Sequence, residues 1–507
     1  MAEPAHLPPL LCALRPLLRP GEGIADHATL ARERGMDPGR LRDFISFFPA
    51  FQPAVHGTGT VRVCTGPACL AAGARERLDA PGAIAGPCVG RCEQAPVTEP
   101  PDIPRCPATV QVPDLGWLDG LIGDAAEAHL LDAIRASGLS GMGGAGFPTH
   151  KKLAAVRAAK APLKYAIANA DEGEPGTFKD RYLIDHHPEQ VLAGLLLACR
   201  ITGAAEAFVY IRHEYAAERA NLEGMLKGLA DTGRVSTRSP SPLSPKVSVI
   251  PAGGAYICGE ETALIASIEG RRPTPSPGPP HPVETGLWGA PTLVQNIETL
   301  YYIAQVARSG ADGQEVGYAG KRHFSVSGQV AEPGVYELPT DATARQLLAA
   351  AGGMTGGREP AAFIPGGGST GLLPPAALDV PLTVESLKSL DTAPGTGGLV
   401  FLGGDTCPLQ VAAHLARFYA DESCGQCDPC RLGAPRLANA AADLCRGEAV
   451  PRETVTATAH AMTTLSICGL GQWAPLVVTS LYRHFPDLMD EHRNGVCRAG
   501  QCDIEAL

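Results

Sequence analysis

Three cysteines in Cys424-Gly425-Gln426-Cys427-Asp428-Pro429-Cys430 stand at C-x2-C-x2-C spacing. Three thiolates so spaced wrap one side of a cubane iron–sulfur cluster and leave its fourth iron to a distant cysteine. Cys468, in Ser466-Ile467-Cys468-Gly469, is the candidate for that fourth position. Structural zinc uses paired C-x2-C knuckles, and here the third close cysteine has no twin. We therefore read Cys424, Cys427, Cys430 and Cys468 as a [4Fe–4S] set, with zinc and unliganded core thiols as the alternatives.

A second set, Cys64-x4-Cys69 and Cys88-x3-Cys92, lies in glycine- and proline-containing turns. Four thiolates in two loop pairs suit a [2Fe–2S] centre with one pair on each iron. Zinc, or no metal, stays open there. Cys497 and Cys502 form a pair near the C-terminus, and two thiols alone rarely make a site, so surface or subunit-contact cysteines are expected. Cys12, Cys106, Cys199, Cys258, Cys407 and Cys445 lack spacing partners and read as buried small hydrophobes.

Three glycine-rich or acidic segments carry a different chemistry. Gly141-Met142-Gly143-Gly144-Ala145-Gly146 fits G-x-G-x-x-G, but the residues before it pattern as a helix, where a dinucleotide fingerprint needs a strand. It supports instead a bare backbone loop ahead of a helix at 149–159, whose amides can receive a phosphate. Asn169-Ala170-Asp171-Glu172-Gly173-Glu174 follows a strand, at the mouth where α/β proteins bind ligands. Gly253-Gly254-Ala255-Tyr256-Ile257-Cys258-Gly259-Glu260-Glu261-Thr262 is a second loop-to-helix entry. Its acids also suit a helix N-terminus without any ligand. Together the loops point to a bound nucleotide cofactor that composition cannot name.

The elements that must position these groups belong to several domains, because 507 residues exceed one ordinary core. Helical patterning at 7–18, 25–34 and Pro38–Phe47 precedes a short strand at 60–63 that runs into Cys64. A proline-rich exit follows at 99–104. From 125 to 315 the pattern is α/β, with strands at 165–168, 207–211 and 246–250 and helices at 125–136, 188–201, 216–229 and 260–268. Prolines make 272–280 a stiff loop. Residues 320–400 read as a small strand-rich module with a hairpin at 323–336 and a helix at 343–351. The segment 405–490 is helical.

Glycine and proline together make about a fifth of the chain, without a G-X-Y period. A net charge of −11 and 5% aromatic residues argue against nucleic acid and anionic membrane as partners. The longest apolar run, at 191–199, is broken by Gly194 and is too short to span a bilayer. No secretory n-region is present at the start, so a soluble, cytoplasmic protein with metal or redox cysteines is expected.

The motifs taken together resemble the flavin-bearing, NADH-oxidising subunit of complex I and its diaphorase relatives. The matching text includes Gly143-Gly144-Ala145-Gly146-Phe147-Pro148-Thr149, Asn169-Ala170-Asp171-Glu172, Glu174-Pro175-Gly176-Thr177-Phe178-Lys179-Asp180-Arg181, Gly254-Ala255-Tyr256-Ile257-Cys258-Gly259-Glu260-Glu261-Thr262 and Glu422-Ser423-Cys424-Gly425-Gln426-Cys427. Residues 1–110 resemble the thioredoxin-like [2Fe–2S] subunit of that family, here fused ahead of the flavin domain through a linker at 111–124.

The resemblance implies a multidomain α/β protein: a thioredoxin-like N-terminal domain, a Rossmann-like FMN domain, a β-grasp module, a helical [4Fe–4S] bundle and a tail at 491–507. It implies FMN and NAD(H) held by Gly141, Gly143, Gly144, Phe147, Lys152, Asn169, Asp171, Glu172, Tyr256, Gly259, Glu260, Glu261, Asn296 and Thr299, with Glu174 at the nicotinamide side as the candidate catalytic residue. Acids so close to an anionic dinucleotide imply a raised pKa at one or more of Glu172, Glu174, Glu260 and Glu261.

The beta (diaphorase) subunit of molybdenum- or tungsten-dependent, NAD-linked formate dehydrogenase is the expected counterpart. Its partners would be a catalytic molybdenum or tungsten iron–sulfur subunit and a small [2Fe–2S] subunit. A hydrogenase diaphorase, a complex I subunit and a non-catalytic iron–sulfur scaffold are the alternatives. The chain departs from the family at Gly278-Pro279-Pro280-His281, Leu153, Gln295 and the short 18-residue spacer between Cys69 and Cys88.

Overall fold

The computed structural model of the chain describes residues 10–14, 18–19, 23–24, 27–51, 61–99, 110–121, 123–311 and 320–502. The proline-rich exit beyond Glu99 and Cys106 lie outside these residues.

In the N-terminal segment, α1 (Pro38–Phe47) starts at Asp37, whose carboxylate accepts from the Arg40 amide and caps the helix. A three-stranded sheet follows, with β1 (Val61–Cys64) between β2 (Ala83–Gly86), parallel to it, and β3 (Thr98–Glu99), antiparallel. The helical turn Pro67–Ala71 carries Cys69 and packs against the third module, described below.

The α/β unit opens with α2 (Asp124–Ala136) and α3 (Thr149–Ala158), the Gly141–Gly146 loop lying between them. Strands β4 (Tyr165–Ala170), β5 (Glu206–Ile211), β6 (Lys246–Pro251) and β7 (Thr292–Asn296) form one parallel sheet in the order β6-β5-β4-β7. The inner strands β4 and β5 are almost wholly buried, as a parallel sheet covered on both faces requires, while the edge strand β6 is exposed at Lys246 and half-buried over the next three residues. The crossovers include α4 (Lys179–His186), α5 (Pro188–Thr202), α6 (Ala216–Asp231) and α7 (Glu261–Ile268). Helix α8 (Ile297–Ala311) follows β7 and packs on α5. Gly194 makes that packing possible, because a Cβ there would sit 1.9 Å from the Leu300 carbonyl oxygen. Strand β7 escapes the sequence reading. The 272–280 loop holds no helix or strand, as its prolines require.

The third module is a four-stranded sheet in the order β9-β8-β11-β10, formed by β8 (Lys321–Gly328), β9 (Gly334–Pro339), β10 (Ala362–Ile364) and β11 (Gly398–Leu402). The β8–β9 hairpin is antiparallel as expected, and α9 (Ala344–Ala350) starts at a Thr343–Gln346 capping box. Helices α10 (Pro408–Asp421), α11 (Asp428–Cys445), α12 (Arg452–Leu465), α13 (Pro475–His484) and α14 (Pro486–Arg493) complete the chain. One core runs from Leu41 and Phe44 through Leu264 to Leu437 and Val477, so the N-terminal segment, the α/β unit and the helical bundle share buried surface. Among the described residues, no helix is long and apolar enough to cross a membrane.

Candidate functional site

The parallel sheet delivers its residues at the carboxyl ends of its strands, the edge where α/β sheets bind ligands. Asn169 lies at the end of β4, Asn296 ends β7 and Arg212 follows β5. The Asn169 amide donates to the Gly259 carbonyl at 2.9 Å and its Oδ1 accepts from the Asp171 amide at 3.1 Å, tying two of the three loops together. The third loop is anchored by the Met142 amide donating to Thr299 Oγ1 at 3.0 Å. Gly143 lies against Asn296, where a Cβ would come within 3.3 Å of the Asn296 Cβ. The Gly141 amide donates to the Phe147 carbonyl at 2.8 Å and closes the loop, Gly144 turns it at φ +103°, and Phe147 stands at its end 53% exposed. A knot of fully buried charge positions Asn296: Lys179 lies 2.7 Å from Asp180 and 3.2 Å from Glu298, and Asp180 accepts from Asn296 Nδ2 at 2.6 Å.

Lys152 reaches from α3 to Glu261 at 2.5 Å and to the Val294 carbonyl at 3.0 Å. Glu260 caps α7: its Oε2 accepts from the amides of Thr262 and Ala263 at 3.0 and 2.9 Å, the local structural role that its position suits. Leu153 is buried in the core under α3, so the departure there is one of packing.

The acids are gathered tightly. Glu174, 3% exposed, accepts from the Tyr419 hydroxyl at 3.0 Å, from the Ser369 amide at 2.6 Å and from the Tyr256 hydroxyl. Burial raises its pKa, and those three donors hold it back. Burial, then the charge of Asp180, pushes Glu172 up to about 8. Asp171 is raised well above the ordinary carboxylate range by burial, against the pull of Arg212, and its Oδ2 is buried with no hydrogen-bond partner. Raised acids beside the nucleotide loops are what the sequence implied.

Both cysteine sets abut these loops. Cys64, Cys69, Cys88 and Cys92 are all buried, with Cys88 and Cys92 sulfurs 3.5 Å apart and Cys64 in hydrogen-bond contact with Cys69 and Cys88. The Arg212 guanidinium donates to the Cys88 carbonyl at 2.8 Å and to the Glu172 carbonyl at 2.9 Å, bridging this set to the acidic loop. Arg91 pairs with Glu218 on α6 at 2.7 Å, both side chains 3% exposed. On the other side, Glu422 accepts from the Tyr256 amide at 2.8 Å, and burial pushes its carboxyl up to about 7. Two residues on, Cys424 begins the second set. Cys424 and Cys427 are half-buried, Cys430 is buried at the start of α11, and Cys468 is near enough to Cys424 and Cys430 to feel their charge.

Arg212, Tyr419, Glu422 and the Ser369 amide went unassigned from sequence. Arg212 follows a strand as Asp171 does, and Glu422 adjoins the cysteine motif, so both carried a usable signal. The tail pair needs correction. Cys497 and Cys502 are not isolated contact thiols: they are half-buried and meet Cys407 and His492. Sequence spacing missed this because Cys407 stands 95 residues before Cys502 in the chain, although their sulfurs are 3.6 Å apart.

The Nuo51 FMN-binding domain profile matches residues 134–305, the NADH-ubiquinone oxidoreductase-F iron–sulfur binding region matches 410–492, and the SLBB domain matches 324–372. The F subunit of NADH-quinone oxidoreductase from Aquifex aeolicus is 37% identical over 382 residues, which cover 72% of this chain and 86% of that protein. A second F-type subunit of the same enzyme, from Rhizobium meliloti, is 35% identical over 372 residues, 72% of this chain and 88% of its own. A chain of an NAD+-reducing [NiFe]-hydrogenase, solved air-oxidised, superposes with a TM-score of 0.80 at 30% identity, over 95% of this chain and 93% of that one. The H2-reduced form gives 0.80 at 31% identity over 95% and 92%. With an FMN-binding domain, an SLBB module and a [4Fe–4S] binding region in one order, the chain belongs to the family of NADH-quinone oxidoreductase F subunits, the NADH-oxidising FMN and iron–sulfur proteins.

Proposed function

We propose that this chain is the beta (diaphorase) subunit of a molybdenum- or tungsten-dependent, NAD-linked formate dehydrogenase, passing electrons between NAD(H) and iron–sulfur clusters. FMN suits the site on two counts: the buried, unpartnered Asp171 Oδ2 offers a polar partner, and Gly143 and Gly259 let bare backbone close against Asn296 and the Asp171 carbonyl, where a Cβ would come within 3.3 and 3.2 Å. When bound, FMN exchanges electrons in pairs with a nicotinamide and singly with a cluster.

The chain's own residues do the rest. Gly141, Gly143, Gly144, Asn169, Asp171, Tyr256, Gly259, Asn296 and Thr299 would hold the flavin, with the Lys152–Glu261 pair and Glu260 beside it. Phe147 and Glu174 would face the dinucleotide. A Glu172 carboxyl raised to about 8 is largely neutral near pH 7, which lessens repulsion of an anionic dinucleotide. Cys424, Cys427, Cys430 and Cys468 would hold [4Fe–4S], and Cys64, Cys69, Cys88 and Cys92 [2Fe–2S]. The Tyr256–Glu422 and Arg212–Cys88 hydrogen bonds fix both cluster loops to the flavin loops without an intervening segment.

The observation that carries the formate dehydrogenase reading is the short, 18-residue spacer between Cys69 and Cys88 in the fused cysteine segment, which docks on the flavin domain through the buried Arg91–Glu218 ion pair. A hydrogenase diaphorase is the second reading, favoured by likeness to the NAD+-reducing hydrogenase chain over 95% of the length. Affinity purification of the tagged chain from its native host, with metal analysis, separates them. Molybdenum or tungsten with a large iron–sulfur subunit supports the first, and nickel without either refutes it.

A further inference from the structure

Cys407, His492, Cys497 and Cys502 present three sulfurs and one imidazole nitrogen, all within 4.8 Å of one another. None of them belongs to either cysteine set described above. We propose that they form a structural zinc site that staples the C-terminal tail to the start of α10.

The distances are those of a single tetrahedral ion. Zn–S bonds near 2.3 Å put two sulfur ligands about 3.8 Å apart. Here Cys407 and Cys502 sulfurs are 3.6 Å apart, and Cys407 Sγ is 3.5 Å from His492 Nε2. A cluster of two irons would spread its ligands wider, and three sulfurs with one nitrogen and no carboxylate suit zinc over hard cations. The imidazole is oriented for the task. His492 Nδ1 donates to the Leu488 carbonyl at 2.8 Å, one turn back along α14, which leaves Nε2 as the lone pair facing the sulfurs. Metal-bound histidines are commonly fixed through their second nitrogen in this way.

The surroundings brace the site. Cys407 is the N-cap of α10, where the helix dipole favours a thiolate. Its amide donates to Gln501 Oε1 at 2.9 Å, and Arg75 of the N-terminal segment donates to the Gln501 carbonyl. Gly495 and Gly500, at φ +77° and +63°, turn the tail back onto the helix. Cys407 and His492 are buried while Cys497 and Cys502 are half-buried, leaving a route for the ion. The loop of chain closed between Cys407 and Cys502 contains Cys424, Cys427, Cys430 and Cys468. Zinc would thus lock the frame that holds the cluster ligands. A fifth thiol, Cys445, touches Cys502 and serves as the control.

The test is elemental analysis of the full-length chain purified under reducing conditions. About one zinc per chain is expected, lost in the Cys497→Ser/Cys502→Ser double variant while flavin and iron stay, and retained in Cys445→Ser. Cys424→Ser should lose iron and keep zinc. Should the double variant fail to fold, zinc-edge X-ray absorption of the wild type decides, with three sulfurs and one nitrogen expected in the first coordination shell. Zinc well below stoichiometric, zinc unaffected by the double variant, a coordination shell of oxygen donors, or a Cys407–Cys502 disulfide found by peptide mapping would overturn the proposal.

Discussion

Replacing Glu172 with glutamine is expected to remove a pH dependence that the wild-type chain carries. In the folded chain burial and Asp180 raise this carboxyl from 4.5 to about 8. Between those values the folded state holds a proton that the unfolded state releases. The associated stability is therefore fully present below pH 4.5 and lost as pH rises through 8. The full difference corresponds to a ceiling of about 5 kcal/mol, at ~1.4 kcal/mol for each tenfold step. Glu172 keeps some contact with solvent and Lys179 opposes the shift, so about 1–3 kcal/mol is expected between pH 5.5 and 8.5. Glutamine cannot ionise, yet its carbonyl can still accept from the Glu174 amide, as Glu172 Oε1 does at 3.1 Å. Urea midpoints for flavin release, taken at pH 5.5, 7.0 and 8.5, measure this. The wild type should weaken with pH relative to Glu172→Gln. Parallel curves, with a constant difference across the series, would refute the reasoning.

Two further substitutions probe the contacts that bring the sites together. Glu218→Ala leaves Arg91 buried without its partner and should cost about 3–5 kcal/mol. The loss should show as faster proteolysis of the N-terminal segment, with Glu218→Gln milder. Tyr256→Phe removes one of three donors to the buried Glu174 carboxyl, a hydrogen bond worth about 0.5–1.5 kcal/mol. It should lower flavin retention on gel filtration, and full retention would count against the packing described.

Much of this arrangement is written locally. The apolar runs of β4, β5 and β6 and the caps at Asp37 and Thr343 each follow from a few adjacent residues. The C-x2-C-x2-C run is equally local, as is the helix ahead of Gly141 that rules out a dinucleotide fingerprint. What sequence hid was set by long-range closure. Strand β7 is a five-residue run, Thr292–Asn296, recognisable only through parallel pairing with β4. His492 meets Cys407 at 3.5 Å although 85 positions separate them in the chain, and no spacing rule links them. Glu260 could have served a ligand or a helix end, and only the geometry shows its Oε2 capping α7.

Electron delivery from NADH to a flavin and clusters held by this chain is visible in an anaerobic titration of the oxidised, purified protein with NADH, followed by visible absorbance and electron paramagnetic resonance. Bleaching of the flavin band is expected, together with signals from reduced iron–sulfur clusters. A protein loaded with flavin and iron whose spectra do not change on adding NADH, but do change with dithionite, would contradict it.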